Sequence, residues 1–235
     1  MNLYRSLRWM FYCVIILFCA CNGDELGNSK NADQGNIFQH YSVVYREGNE
    51  ALDVYAQFRI AGDKGTALAL STPSDVKFDD SSLIGSGGTP EAMFYNKQLS
   101  VDNIYGEHSF VFNDFNKKQY RNTFEFDEFR LINLPLTAQK TQPLIIQFQA
   151  NPLQPNDYIQ ITPVNVDSSF SVTYHGSDTS KFITILPAQL QSLPRGQLRL
   201  AATLYRRIPL KEATPAGGYI ELMYSLVPVY INLLD

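Results

Sequence analysis

The chain has 235 residues, with 19 Lys and Arg against 23 Asp and Glu and a formal net charge of −4. That acidic balance excludes a nucleic-acid partner: no basic block compensates it, and Lys117-Lys118 and Arg206-Arg207 are isolated pairs that read as solvated strand or loop residues. All three cysteines, Cys13, Cys19 and Cys21, fall in the first 21 residues, so nothing beyond them can supply a disulfide framework, a thiol nucleophile or a Cys-based metal site.

Residues 1–20 carry the marks of an export signal. Arg5 and Arg8 precede the apolar run Trp9 to Phe18, and the small residue Ala20 stands directly before Cys21. The run is well short of the roughly 20 apolar residues a spanning helix needs. In its last four positions, Phe18-Cys19-Ala20-Cys21, the segment resembles a bacterial lipoprotein signal peptide. The resemblance implies cleavage after Ala20, lipidation of Cys21 and attachment to a membrane. Simple secretion and an uncleaved N-terminal anchor are the alternatives. Loss of the leader with its two arginines takes the net charge from −4 to −6.

Residues 21–36 follow as a polar stretch with almost nothing apolar to bury, which predicts a flexible tether. Asp24-Glu25 resembles the acidic tag that directs some Gram-negative lipoproteins to the outer cell surface, with periplasmic retention as the other possibility. Either way the expected location is the cell envelope, anchored at the outer membrane.

From residue 37 the apolar pattern has period two. In Leu52, Val54, Ala56, Phe58 and Ile60 every second residue is apolar for five steps, which places one strand face in a core and the other in water. The alternation recurs at Tyr41/Val43/Tyr45, Val76/Phe78, Phe124/Phe126, Ile159/Ile161, Phe170/Val172/Tyr174, Leu198 to Leu204 and Ile220 to Leu226. Gly-, Pro- and Asp-rich turns separate the runs. This predicts an all-β chain of antiparallel sandwiches. Two sandwiches fit the length, with a break in the proline-bearing stretch 133–143: a first domain over 37–135 and a second over 143–235. One large sandwich is the alternative.

Two local features refine this. The inward positions of the last strand change phase at Val227-Pro228, which predicts an inserted residue, a bulge, on an edge strand. Phe182–Ile185 leads through Pro187, Leu190, Leu193 and Gly196 into Leu198–Leu204. This resembles the inter-sheet crossover of immunoglobulin-like domains in bacterial surface and periplasmic proteins, and carries no active-site residues with it.

The inventory of reactive groups is thin. His40, His108 and His175 are dispersed without metal-ligand spacing. His175-Gly176-Ser177-Asp178 is too compressed for a Ser-His-Asp relay and reads as a polar turn. No metal and no cofactor is expected. Asp79-Asp80 and Asp127-Glu128 sit at strand ends; as catalysts of an envelope hydrolase they would need two carboxyls about 5–10 Å apart in a cleft. Tyr55, Tyr205 and Tyr219 fall on the polar side of their strands, where tyrosine supplies contact area at little entropic cost, and are the candidate ligand contacts. Asn113 to Tyr120, between two strands, reads as a long loop. The expectation is a non-enzymatic role in binding, adhesion or envelope assembly, with a protein or a glycan as partner. A carbohydrate-binding module would require aromatic side chains aligned on one exposed face.

Overall fold

The computed structural model describes residues 26–235 except 88, 90–92, 103, 165–169 and 179. The leader and Cys21 lie outside the described residues. Among the described residues ten strands precede residue 127: β1 (Gly27–Asn28), β2 (Ile37–Arg46), β3 (Ala51–Ile60), β4 (Thr66–Ala69), β5 (Asp75–Phe78), β6 (Ser81–Ser82), β7 (Ile84–Ser86), β8 (Phe94–Ser100), β9 (Gly106–Asn113) and β10 (Gln119–Phe126). Then come β11 (Arg130–Ile132), β12 (Thr137–Gln139), β13 (Leu144–Gln149), β14 (Tyr158–Pro163), β15 (Val172–His175) and β16 (Phe182–Ile185). A single helical turn α1 (Pro187–Gln191) leads to β17 (Gly196–Pro209), β18 (Gly218–Ser225) and β19 (Val229–Leu234).

Period-two burial builds two sandwiches, so the all-β expectation holds. In the first, β2 and β3 face the sheet β10-β9-β5-β6 across an aromatic core. Tyr41 stacks on Phe110 at 4.4 Å, Phe58 lies 4.5 Å from Phe112, and Tyr45 meets Phe126 edge-on at 6.2 Å. In the second, the sheet β11-β13-β16 faces β14, β15, β17 and β19, with Phe148 against Tyr174 at 4.9 Å. The chain passes from β16 in one sheet to β17 in the other through α1, with Leu190 and Leu193 buried beneath it. That is the crossover the sequence predicts between Phe182 and Leu204.

The two sandwiches divide the chain differently from 37–135 and 143–235. β17 runs for 14 residues. Its first part pairs with β19 (Gly196 opposite Leu233), its middle with β14 (Ile161 opposite Ala202), and its last part with β18 (Arg207 opposite Glu221). β18 then pairs in parallel with β2 from Gly218–Gln39 to Ser225–Arg46. The C-terminal hairpin thus completes the sheet of the first sandwich, and one 12-stranded sheet serves both. The turn that joins β17 to β18 is fastened to the same sandwich. The Asn122 side chain donates to the Glu212 carbonyl (2.7 Å) and accepts from the Lys211 and Glu212 amides, and Thr214 donates to the Ile37 carbonyl (2.6 Å). Among the described residues three pairings are parallel, β1 with β4, β12 with β19 and β18 with β2, where the sequence predicts antiparallel pairing.

The phase change at Val227-Pro228 is a one-residue bulge. Thr203 faces Ser225 but Leu200 faces Val229, so three steps on β17 oppose four on its partner. The bulge is not at an edge. β18 lies between β17 and β2, and β19 lies between β17 and β12. Pro228, which has no amide hydrogen to donate, falls where the ladder is already interrupted.

The tether expected over 21–36 is packed from residue 26 onward. Gly27 and Asn28 pair with Leu68 and Ala69, and Leu26 packs on the core. Ser29 is fully buried, and its hydroxyl accepts from the Ser71 amide at 2.7 Å. Gln34 donates to the Ser29 and Ala32 carbonyls and accepts from the Phe115 amide. Side-chain hydrogen bonds to backbone order this segment in place of apolar bulk. The expected long loop over 113–120 is likewise a tight turn, with Asp114 accepting from the Lys118 amide through its side chain (2.8 Å).

Candidate binding face

The outer face of the shared sheet is set by strand register. Side chains alternate, so the residues opposite the buried Tyr41, Val43 and Leu222 point away from the core together. One row across the sheet reads Gln57, His40, Tyr219; the next reads Asn96, Tyr55, Ser42, Glu221, Arg207; a third reads Gln98, Asp53, Val44, Met223, Tyr205, Tyr158. The structure therefore puts Tyr55, Tyr205 and Tyr219 on one face of one sheet, all three half-buried.

Each has a distinct neighbourhood. Tyr205 stacks on Tyr158 of β14, ring centroids 4.6 Å apart and 16° from parallel. Tyr219 lies under the Arg207 guanidinium (4.0 Å to the ring centroid), beside His40 at 4.6 Å, and its hydroxyl bonds Asp63 Oδ1 at 3.2 Å. Tyr55 meets Phe94 edge-on at 5.9 Å.

Between the tyrosines sits a charge pair. Arg207 Nη2 donates to Glu221 Oε1 (3.2 Å), and His40 Nε2 stands 3.5 Å from Glu221 Oε2, beyond good hydrogen-bond length. The His40 contact, aided by Arg207, holds the Glu221 carboxyl below the usual carboxylate range against a burial that works the other way. Burial pulls Arg207 down, and Glu221, Tyr219 and Asp63 more than reverse it, so the guanidinium is firmly charged. Burial first, then Tyr205 and Glu221, pushes the Tyr158 phenol up, and burial does the same for Tyr219. Both hydroxyls are therefore neutral at physiological pH, each a donor and an acceptor. Asn156, Tyr158, Tyr205, Arg206, Arg207 and Glu221 line a surface depression of ≈ 320 Å³.

Arg206 points the opposite way. It is the next position after Leu204 on the inward phase of β17, and its side chain is 14% exposed. Nη1 donates to Asp127 Oδ2 (3.0 Å), Nε to Asp157 Oδ2 (3.1 Å) and Nη2 to the Pro152 carbonyl (2.9 Å). Asp157 is buried and also accepts from the Gln154 and Arg207 amides. The expectation that Arg206 is a solvated residue is corrected: it pins the end of β10 to the start of β14, one from each sandwich. The signal was in the sequence, an arginine on the inward phase of Leu198 to Leu204.

The four strand-end acids have separate partners. Asp79 accepts from the Ser109 amide and contacts His108 Nδ1 at 2.6 Å; Asp80 is 3.9 Å from Arg121; Asp127 belongs to Arg206; Glu128 is 3.9 Å from Arg130. His175 to Asp178 is a turn closed by the Asp178 amide on the His175 carbonyl and by the Asp178 carboxylate accepting from the His175 amide. A cleft of ≈ 510 Å³ between the sheets of the second sandwich has Phe148, Asn151, Tyr174 and Lys181 in its wall, and Asp178 is its one acid among the described residues.

No family model matches the chain, and no curated protein matches it. Among solved structures it is similar to DIP-gamma IG1+IG2 (12% identity, 81% of this chain and 95% of that one, TM-score 0.21). It is also similar to murine CEACAM1b (12% identity, 84% and 100%, TM-score 0.26). A third is Bacteroides ovatus SGBP-B of a mixed-linkage glucan utilization locus, in complex with a mixed-linkage heptasaccharide (8% identity, 85% and 60%, TM-score 0.24). At these TM-scores the likeness transfers neither detailed topology nor function.

Proposed function

We propose that this is a lipid-anchored protein of the cell envelope, held at the outer membrane through Cys21, whose task is binding and not bond-making. The observation that carries the binding role is the outer face of the shared sheet. It collects Tyr55, Tyr205, Tyr219, Tyr158 and Phe94 around the Arg207–Glu221 pair, and the sheet beneath is braced by both sandwiches. Half-buried tyrosines on a rigid strand scaffold present large contact area with little to order on binding. The anchor rests on the leader pattern that ends at Cys21.

Both halves are testable. Cys21→Ser is expected to move the protein from the membrane fraction to the soluble fraction; unchanged fractionation contradicts the anchor. Oxidative footprinting with and without isolated envelope material is expected to protect Tyr205 and Tyr219 relative to Tyr105, which is 51% exposed elsewhere on the molecule. Equal protection of all three contradicts the binding face.

A further inference from the structure

We infer that the ligand of this face is an uncharged oligosaccharide, with one sugar seated in the depression between Tyr205 and Glu221. The inference rests on the binding role proposed above and adds the chemistry of the ligand. It draws on the spread of the contacts, their charge and their hydrogen-bonding character.

Spread comes first. Tyr205 on β17 and Tyr55 on β3 are separated by β18 and β2, three strand spacings or about 14 Å, and by two residues along the strand, about 7 Å. Tyr219 lies off that line, four residues from the Tyr205 row and two strands from β3. A compact metabolite reaches one of these stations; a chain of several units reaches two along the line, and a bend or branch reaches Tyr219 as well.

Charge comes second. Among the described residues, the one cation of the depression that points outward, Arg207, is bonded to Glu221 and lies over Tyr219, and Arg206 is spent on Asp127 and Asp157. A phosphate, sulfate or uronate would have to displace a formed ion pair. A neutral ligand need not. Glu221 at the centre of the face argues against a protein partner, since the cores of protein interfaces are depleted of glutamate.

Chemistry comes third. The depression offers the ring edges and faces of the Tyr158–Tyr205 stack beside groups of both hydrogen-bonding senses: Arg207 N–H groups, Glu221 oxygens, the Asn156 amide and two phenolic hydroxyls. A pyranose has C–H-rich faces and a rim of hydroxyls that each donate and accept. Those two surfaces match the rings and the polar groups.

The test is affinity electrophoresis of the full-length protein in a mild detergent. The gels contain xylan, glucomannan, hydroxyethyl cellulose or starch, with polygalacturonate as the acidic arm. At least one neutral polysaccharide is expected to retard the protein. Tyr205→Ala and Glu221→Ala are expected to raise its apparent Kd at least about tenfold, whereas Tyr205→Phe keeps most of the retardation; thermal melts confirm that each variant is folded. Retardation by none of the neutral polymers, or by polygalacturonate alone, overturns the inference. If that result accompanies envelope-dependent footprints on Tyr205 and Tyr219, the binding face survives and only the sugar is wrong. Retardation that persists unchanged in Tyr55→Ala, Tyr205→Ala and Tyr219→Ala overturns both.

Discussion

Arg206 and Arg207 are sequence neighbours on opposite sides of the sheet, and the difference decides what each does. Arg207 is a surface group tied to Glu221, an exposed pair of the kind that contributes little to stability. Arg206 is largely buried and satisfies two carboxylates at once, one of them on the buried Asp157. Removing it leaves charge without a partner, so Arg206→Ala is expected to lower unfolding free energy by about 3–5 kcal/mol in urea titrations. A loss below about 1 kcal/mol would mean the joint is not formed. Glu221 gives a pH signature. Its folded pKa is depressed, chiefly by His40, below the ordinary 4.5, so its contribution is present above that value and fades as pH falls through the folded one. Glu221→Gln is therefore expected to show a smaller fall in melting temperature between pH 6 and pH 3 than the parent protein, and parallel pH profiles would contradict the pairing. At this scale the sequence was informative wherever phase alone decides direction. Tyr55, Tyr205 and Tyr219 are outward because their neighbours are inward. Arg206 obeys the same rule, but composition argued for solvent and hid it.

Among the elements, β17 does the most. Its alternation was legible over Leu198 to Leu204, and so were the crossover before it and the inserted residue in the partner strand at Val227-Pro228. What could not be read was the partner of β18. Period two says which face of a strand is buried and nothing about which strand lies beside it, and β2 is roughly 180 residues away in the chain. The edge position expected for the bulge failed for that reason. Tyr158 was missed because its run, Ile159/Ile161, is too short to mark an outer face, and its value comes only from stacking on Tyr205 across the ladder. Residues 26–36 misled in another way. Few apolar residues normally means disorder, yet Ser29 and Gln34 make enough backbone hydrogen bonds to hold the segment against β4 and the turn at Phe115. That leaves four residues, 22–25, between Cys21 and the packed chain, five steps that reach about 18 Å at most, so an acyl chain on Cys21 would keep the protein close to its membrane.

For the whole molecule, the consequence of the shared strand is that neither sandwich is complete in one stretch of sequence. The first needs β18 and the end of β17, and the proposed binding face depends on β14, β17, β18, β2 and β3 lying in one sheet. Hydrogen–deuterium exchange of β2 and β18 tests this most directly. With β18 hydrogen-bonded on both sides, amides of 218–225 and of 37–46 are expected to be protected to the same high level and to exchange together. Fast exchange across 218–225 while 37–46 stays protected would show that the hairpin is not part of the sheet, and the face built on it would not exist.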